Sequence, residues 1–341
     1  MRAGFIEKPG AAYFKEVEEP QIVNDTDVKI QVKATGICGS EVHAFNGKHP
    51  FRIQPVVSGH EFAGIIVEVG KGVTKYKPGD RVTAEPQYGC GECPACRAGR
   101  YNICRDKKVL GSNGWSGSFG EFVVVPEKTI VPLKKEVSFE QGALIEPIAV
   151  GMHAVRQNRI SISDTVLIIG AGTIGLGILL SVRACNPRCI IMTDVVDFNL
   201  EAAGKMGCTH VINSTKESLE EKIMEITEGK GVDITFLAFG NGPVVEEAAK
   251  LTKRGGVISE IALMQNSERA PYELIQSKEI SLIGSNMYTY EDYMVVVDCM
   301  AKGLIDTSQF ITQRYPIEKM QEAMDMADKR PEPVIKVMLE F

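Results

Sequence analysis

The sequence predicts an α/β protein in which a mostly β domain precedes a doubly wound parallel sheet, and three observations carry that reading. Up to about residue 147, short β-like runs are broken by Gly, Pro and Asp. Near residue 150 the rhythm changes to strands alternating with helices, the pattern of βαβ units with a sheet covered on both faces. Between them in importance stands a glycine-rich turn, Gly170-Ala171-Gly172-Thr173-Ile174-Gly175, which follows an apolar strand and opens a helix. The length, 341 residues, suits about two domains at roughly 150 residues each.

Taken in order, the first half offers strands over 28–34, Glu61–Val69 and 122–125, punctuated by turns such as Lys77-Pro78-Gly79-Asp80; it reads as a barrel or sandwich with long loops. The second half offers strand 166–169, helix 173–184, strand 189–193, helix 199–206, helix 219–227, strand 233–238, helix 244–251, strand 257–262 and strand 280–283. Two amphipathic stretches, 291–302 and 318–328, and a last strand, 334–339, do not continue the alternation and would close either domain.

Composition excludes several classes. Hydrophobic residues make up 44% and charged residues 24%, values that leave no room for a disordered, collagen-like or disulfide-scaffold chain. Lys and Arg number 38 against 44 Asp and Glu, and no basic run gathers, so no nucleic-acid or membrane partner is expected. The start, Met1-Arg2-Ala3-Gly4-Phe5-Ile6-Glu7, meets an acid before an export signal forms, which points to a cytoplasmic protein. The uncharged stretch 165–182 holds Gly170, Gly172, Gly175 and Gly177, and reads as strand, turn and helix rather than a membrane span.

The glycine-rich turn has a mechanism. The first glycine permits the tight turn, the second lets a pyrophosphate approach the backbone, and the third lets helix and strand pack closely. The amides of Thr173 and Ile174 then lie at the positive end of the helix dipole. Asp194 closes the second strand, 19 residues past Gly175, where a carboxylate accepts from the ribose hydroxyls of a dinucleotide. A carboxylate repels a 2′-phosphate, and no Arg or Lys lies between Asp194 and Glu201, so NAD is expected rather than NADP.

The nine cysteines are an odd number, and four of them crowd into Cys90-x2-Cys93-x2-Cys96-x7-Cys104. Four thiolates at such gaps close a tetrahedron around Zn(II) and leave no open position, so that site holds a loop together. An iron–sulfur cluster or four free thiols are the other readings of the spacing. A second donor set is dispersed: Cys38, His60 with Glu61, and Glu146 before Pro147. Sulfur, imidazole and carboxylate together suit a zinc ion with an exchangeable position, though each residue alone is ordinary. Cys185, Cys189, Cys208 and Cys299 read as small buried residues.

Together, Gly36-Ile37-Cys38-Gly39-Ser40, Gly59-His60-Glu61-Phe62-Ala63-Gly64, Lys77-Pro78-Gly79-Asp80-Arg81-Val82, the four-cysteine lobe and Gly170-Ala171-Gly172 resemble the zinc-dependent medium-chain alcohol dehydrogenases. The likeness runs through essentially the whole chain. It implies a GroES-like catalytic domain over 1–150, a Rossmann NAD-binding domain over 151–287 and a C-terminal return to the catalytic domain over 288–341. It also implies two zinc ions per chain and a homo-tetramer or dimer.

Glu61 after His60, and Ala143-Leu144-Ile145-Glu146-Pro147-Ile148-Ala149-Val150, look like the branch of sorbitol (polyol), 2,3-butanediol and threonine dehydrogenases. By that resemblance Cys38, His60 and either Glu61 or Glu146 hold the catalytic zinc, while Cys90, Cys93, Cys96 and Cys104 hold the structural one. The chain departs from the polyol pattern at Gly284-Ser285-Asn286-Met287-Tyr288-Thr289-Tyr290-Glu291-Asp292, where Met287 stands in the place of an expected Arg. Losing a guanidinium with five donors weakens recognition of a many-hydroxyl substrate, so a diol or a more hydrophobic secondary alcohol comes into view.

The expected activity is therefore hydride transfer between a secondary alcohol and NAD, with Ser40 and His43 relaying the hydroxyl proton. His49, Phe51 and Trp115 lie in loops of the catalytic half, where a cleft role and ordinary packing are both open; His153 and His210 receive no role. An L-threonine 3-dehydrogenase-like enzyme is the nearest rival chemistry. A non-catalytic zinc-stabilised NAD-binding protein is the rival from another class, opposed by the completeness of the Cys38, His60, Glu61 and Glu146 set. Substituting Ser40→Ala is expected to lower turnover with zinc content intact, read by rates across pH beside metal analysis; equal activity at every pH overturns the relay.

Overall fold

In the computed structural model, which describes residues 1–112, 114–262 and 270–341, the chain divides into two units. The first comprises Met1–Glu146, Thr289–Gly303 and Phe310–Phe341; the second comprises Pro147–Tyr288 and Leu304–Gln309.

The first unit opens with strands β1 (Arg2–Lys8), β2 (Ala11–Glu16) and β3 (Asp27–Ile37), then helix α1 (Gly39–Phe45), β4 (Glu61–Val69), β5 (Arg81–Ala84), β6 (Gln87–Tyr88), the short α2 (Pro94–Arg97), β7 (Lys108–Val109), β8 (Phe122–Pro126) and β9 (Ile130–Pro132). Helix α3 (Phe139–Gln157) leads into the second unit, which holds β10 (Thr165–Ile169), α4 (Thr173–Cys185), β11 (Cys189–Asp194), α5 (Asp197–Lys205), β12 (His210–Asn213), α6 (Leu219–Ile226), β13 (Val232–Leu237), α7 (Gly242–Leu251), β14 (Thr252–Glu260), α8 (Tyr272–Ser277) and β15 (Ser281–Gly284). The chain returns through α9 (Tyr290–Ala301), β16 (Ile311–Pro316), α10 (Met320–Lys329) and β17 (Lys336–Glu340).

β3 organises the first unit. Its 11 residues give it two neighbours along one edge, β8 beside its start and β17 beside its end, while β4 runs antiparallel along the other. The resulting seven-stranded sheet has the order β16-β17-β3-β4-β5-β9, with β8 off that path. Two apolar clusters flank it. One gathers Ile30, Phe62, Ile66, Leu110 and Val123; the other packs Ile6, Phe45, Phe119, Met320, Met324 and Leu339 under α10. Each such side chain stabilises the fold by about 1.5–3 kcal/mol when fully buried. The C-terminal stretch thus completes the sheet of the first unit through β16 and β17.

The second unit is a six-stranded sheet, parallel throughout, in the order β12-β11-β10-β13-β14-β15. In chain order within the unit this is 3-2-1-4-5-6, the Rossmann arrangement, with the reversal between β10 and β13. All five residues of β10 are buried, as the unbroken apolar run predicts for a central parallel strand. No helix among the described residues is long and apolar enough to cross a membrane.

The structure differs from the sequence reading in several places, among them the strands β1, β2 and β16, which no element of that reading covers. Helix α3, for which the sequence pattern offers no element, begins at Phe139 and passes through Pro147, although a proline ordinarily starts or breaks a helix. Glu146 therefore sits in mid-helix. β14 begins at Thr252 rather than 257, because Lys253, Arg254, Gly255 and Gly256 hide its start from any apolar pattern. Among the cysteines outside the two donor sets Cys189 is buried, but Cys185, Cys208 and Cys299 are half-buried, at a helix end, before a strand and on an amphipathic helix.

Gly175 is fixed by packing rather than by its own torsions: a Cβ there would collide with the carbonyl oxygen of Gly170, one turn away. Gly175→Ala is expected to destabilise the protein by about 1–3 kcal/mol, lowering the melting temperature by several degrees. An unchanged melt would mean that the turn relaxes without cost.

Candidate active site

Two groups of donor side chains converge in the first unit. In the loop around α2, the sulfurs of Cys90, Cys93, Cys96 and Cys104 all lie within 4.8 Å of one another. The Cys90 and Cys96 sulfurs are 3.9 Å apart, close to the ~3.8 Å edge of a tetrahedron with Zn–S bonds of about 2.3 Å. Backbone amides already point at the sulfurs. Cys90 N–H donates to Cys104 Sγ, Cys93 N–H to Cys90 Sγ and Cys96 N–H to Cys93 Sγ, each at 3.4 Å. Amides near Glu92 and Cys93 hold the Cys90 thiol below its ordinary range, as a thiolate ligand requires.

The lobe is tied down by a buried carboxyl group. Glu85 accepts from Tyr101 O–H at 2.8 Å and from Gln87 Nε2 at 3.2 Å, and Tyr101 in turn accepts from the Tyr290 amide at the start of α9. Burial pushes the Glu85 carboxyl up to about 8, against the lowering effect of those two donors.

The second group is built around His60. Cys38 follows β3 and caps α1, Glu61 begins β4, and Glu146 comes from the middle of α3. His60, Glu61 and Glu146 offer donor atoms within 4.8 Å of one another, and Cys38, Glu41 and His60 form an overlapping set. Cys38 is hydrogen-bonded to His60, and His60 Nε2 stands 3.9 Å from Glu146 Oε1.

Behind these donors lies a shell that the sequence reading missed. Glu41 Oε1 takes His60 Nδ1 at 2.8 Å, Ser58 O–H at 3.0 Å and the Arg52 guanidinium, while Glu41 Oε2 accepts from the Cys38 amide at 3.1 Å. Arg52 also reaches Ser58 Oγ at 2.9 Å. Glu41 is wholly buried; burial opposes its charge, but Arg52 and His60 more than offset it and hold the carboxyl well below the ordinary range. His60 is moved the other way: burial disfavours its protonation, and the Glu41 carboxylate outweighs burial. A bond from Nδ1 to Glu41 turns Nε2 toward Cys38 and Glu146, the carboxylate–histidine arrangement of metal sites. Glu41, three residues past Cys38 at the start of a helix, is a position where a capping carboxylate is expected. Arg52 and Lys336 carry no comparable local signal.

Charge tests whether a metal fits. In the forms that bind a metal, Cys38 as thiolate and His60 neutral, Cys38, Glu41, Glu61 and Glu146 would bring four negative charges into a buried pocket against the cations Arg52 and Lys336. A dication restores neutrality, which a low-dielectric pocket demands. Ser40 Oγ, just beyond Cys38, is buried without a hydrogen-bond partner among the described residues, and His43 stands exposed one turn further along α1. Trp115 packs instead: its Nε1 donates to Val124 O at 2.9 Å and its ring tilts against Tyr88. His49 and Phe51 meet edge to face on the loop after α1.

In the second unit, Gly170 adopts φ +97° and Gly172 caps α4 with open space where a side chain would stand. Asp194 Oδ2 accepts from Ala171 N–H at 2.6 Å, and Oδ1 from the amides of Val195 and Val196 at 2.8 and 2.9 Å. Three of about four lone-pair sites are thus taken, which fixes the carboxylate at the turn and leaves one.

Residues 24–135 match the family model for the alcohol dehydrogenase GroES-like domain, and residues 173–302 match that for zinc-binding dehydrogenase. Sorbitol dehydrogenase of Bacillus subtilis is 35% identical, the alignment covering 93% of this chain and 91% of that one. The chain belongs to the zinc-binding alcohol dehydrogenase family. D-arabitol-phosphate dehydrogenase of Enterococcus avium is 36% identical over 96% of this chain and 93% of its own length. Among solved structures, an alcohol dehydrogenase from Escherichia coli CFT073 in complex with NADH superposes with a TM-score of 0.93 at 30% identity, covering 100% of this chain and 99% of that one. As a member of this dehydrogenase family the protein is an oxidoreductase, and its converging donor sets are groups that could hold metal ions.

Glu85 gives the lobe a pH dependence. Below the ordinary carboxyl value of 4.5 the group is protonated in both folded and unfolded chains, and its contribution is fully present. As pH rises from there through about 8, the unfolded chain ionises first, so the folded state loses up to about 4 kcal/mol. Glu85→Gln is expected to flatten this loss, measured by urea denaturation near pH 5 and pH 8; parallel slopes for variant and wild type would refute it.

Proposed function

We propose that this protein is a zinc- and NAD-dependent oxidoreductase that interconverts a secondary alcohol, whether polyol, diol or a more hydrophobic one, and the corresponding ketone. The observation that carries the reading is the cluster of Cys38, His60, Glu61 and Glu146 on an imidazole oriented by Glu41. Cys38 and His60, with Glu61 or Glu146, would hold the catalytic zinc; Cys90, Cys93, Cys96 and Cys104 would hold a structural one. When bound, a zinc ion supplies Lewis acidity toward an alcohol oxygen, and a nicotinamide supplies the hydride acceptor.

The chain's own residues do the rest. Gly170 makes the turn, Gly172 leaves open space for a pyrophosphate and Gly175 lets the helix pack on the turn, the amides of Thr173 and Ile174 lie at the start of α4, and the remaining lone pair of Asp194 suits a ribose hydroxyl. Ser40 Oγ, buried and without a hydrogen-bond partner among the described residues, accepts the hydroxyl proton and passes it toward solvent at His43. The relatives named for sorbitol and arabitol phosphate support a polyol or its phosphate, whereas Met287, at the position where a polyol-binding Arg is expected, favours a substrate with fewer hydroxyls. Nine free thiols suit a reducing cytoplasm, and a homo-dimer or homo-tetramer is the assembly the family suggests.

The test is reduction of NAD, followed by absorbance, over sorbitol, xylitol, 2,3-butanediol, L-threonine, a polyol phosphate and hydrophobic secondary alcohols, with a chelated control. Turnover of one secondary alcohol is expected, abolished by chelation and at least about tenfold slower with NADP because of Asp194. NAD binding with no turnover on any alcohol would overturn it.

A further inference from the structure

We propose that the cavity between the cysteine lobe and the start of α9 binds a small primary organic ammonium ion, held by the Glu85 carboxylate beside Tyr88, Tyr101 and Tyr290. The site is separate from the one read above for hydride transfer: none of Cys38, His60, Glu61 and Glu146 borders it, and its lining belongs to the first unit. Of the four lobe cysteines Cys96 alone borders it, so it lies beside the sulfur cluster rather than inside it.

Short strands and the lobe bring the walls together. Glu85 follows β5, its amide donating to the Thr129 carbonyl at 2.8 Å, and Gln87 and Tyr88 form β6. Tyr101 comes from the lobe, Lys128 from the turn before β9 and Tyr290 from the first turn of α9. The space is about 280 Å³, close to the lower end, ~300 Å³, of small-molecule pockets. It suits a ligand of a few heavy atoms.

Charge selects the ligand. Glu85 is 3% exposed, and its two oxygens take neutral donors, Tyr101 O–H at 2.8 Å and Gln87 Nε2 at 3.2 Å. Among the described residues no Lys, Arg or His pairs with it. Burial, with the Asp292 carboxylate adding to it, pushes the carboxyl up to about 8, so near neutral pH the group keeps a proton for want of a cation. A primary ammonium supplies that cation: it donates to Glu85, the carboxyl proton leaves to solvent, and the alkyl chain lies against the tyrosines. The molecule already places one ammonium at the edge of this space. Lys128 Nζ lies 4.1 Å from the centroid of the Tyr88 ring, and the lysine side chain is exposed rather than buried with Glu85. The negative face of the ring attracts it there. Lys128 thus competes with an incoming cation for Tyr88 and would attract an anion.

The test titrates the zinc-loaded full chain at about pH 8, by calorimetry, with butylammonium, butyramide and butyrate, which are similar in size and differ in charge. Butylammonium is expected to bind at least about tenfold more tightly than the amide. Glu85→Gln keeps the hydrogen bonds of the protonated acid, and with them the fold, and is expected to weaken butylammonium at least about tenfold. Lys128→Met removes the competing ammonium and is expected to strengthen butylammonium by about two- to fivefold, the worth of one exposed cation–π contact. An anion site would respond to Lys128→Met with the opposite sign. Equal binding of the amide, tighter binding of butyrate, or no binding at millimolar concentration overturns the proposal. Butylammonium binding that Glu85→Gln and Lys128→Met both leave unchanged puts the ion elsewhere and overturns it as well. Any of these failures leaves the reading of the protein as an alcohol dehydrogenase standing, because that reading is tested by NAD reduction and not by this cavity.

Discussion

Buried charge that has to be paired shapes the first unit more than any other constraint. Glu41 and Arg52 are almost wholly inaccessible, and so are Glu61 and Lys336; the first pair lies 11 residues apart in sequence and the second 275. Removing one partner of a buried pair leaves an uncompensated charge, at a cost of about 3–5 kcal/mol. The helix after β3, the loop before β4 and the last strand are therefore bound to one another by the donor pocket as well as by the apolar clusters around it. With Cys38 as thiolate and His60 neutral, the forms that bind a metal, the pocket is two positive charges short, and a dication would balance it.

Close backbone approach is the second theme. In the second unit, Gly170 takes a left-handed turn and Gly175 lets helix α4 press against that turn, which keeps the amides at the head of the helix near the sheet's reversal point. In the first unit, Gly36 serves no turn at all; it leaves room above a strand for a carboxylate that belongs to the neighbouring one. The two positions look alike in sequence, and their reasons are unrelated.

Much of the second unit was legible from local pattern. Apolar runs became the central parallel strands because such strands are buried on both faces, and the glycine turn with Asp194 came out at the switch point because those residues are needed only there. The cysteine lobe was legible for a similar reason, since its four sulfurs lie within a single short loop. What stayed hidden depends on contacts between distant segments. Proline at position 147 reads as a break, but α3 carries it in mid-helix and so delivers Glu146 to His60. Arg52 lies in an irregular loop, and nothing near it in sequence indicates Glu41 as its partner.

By itself the sequence determined which donors exist and where the glycine-rich turn lies, because spacing along one strand, turn or loop is a covalent property. Only the tertiary structure decided how those donors are held. Lys336 pairs with Glu61 across 275 residues of sequence, and Glu41 fixes the imidazole of His60. Such pairings arise when strands take their register and bury their charges together, and no local run of residues records that event.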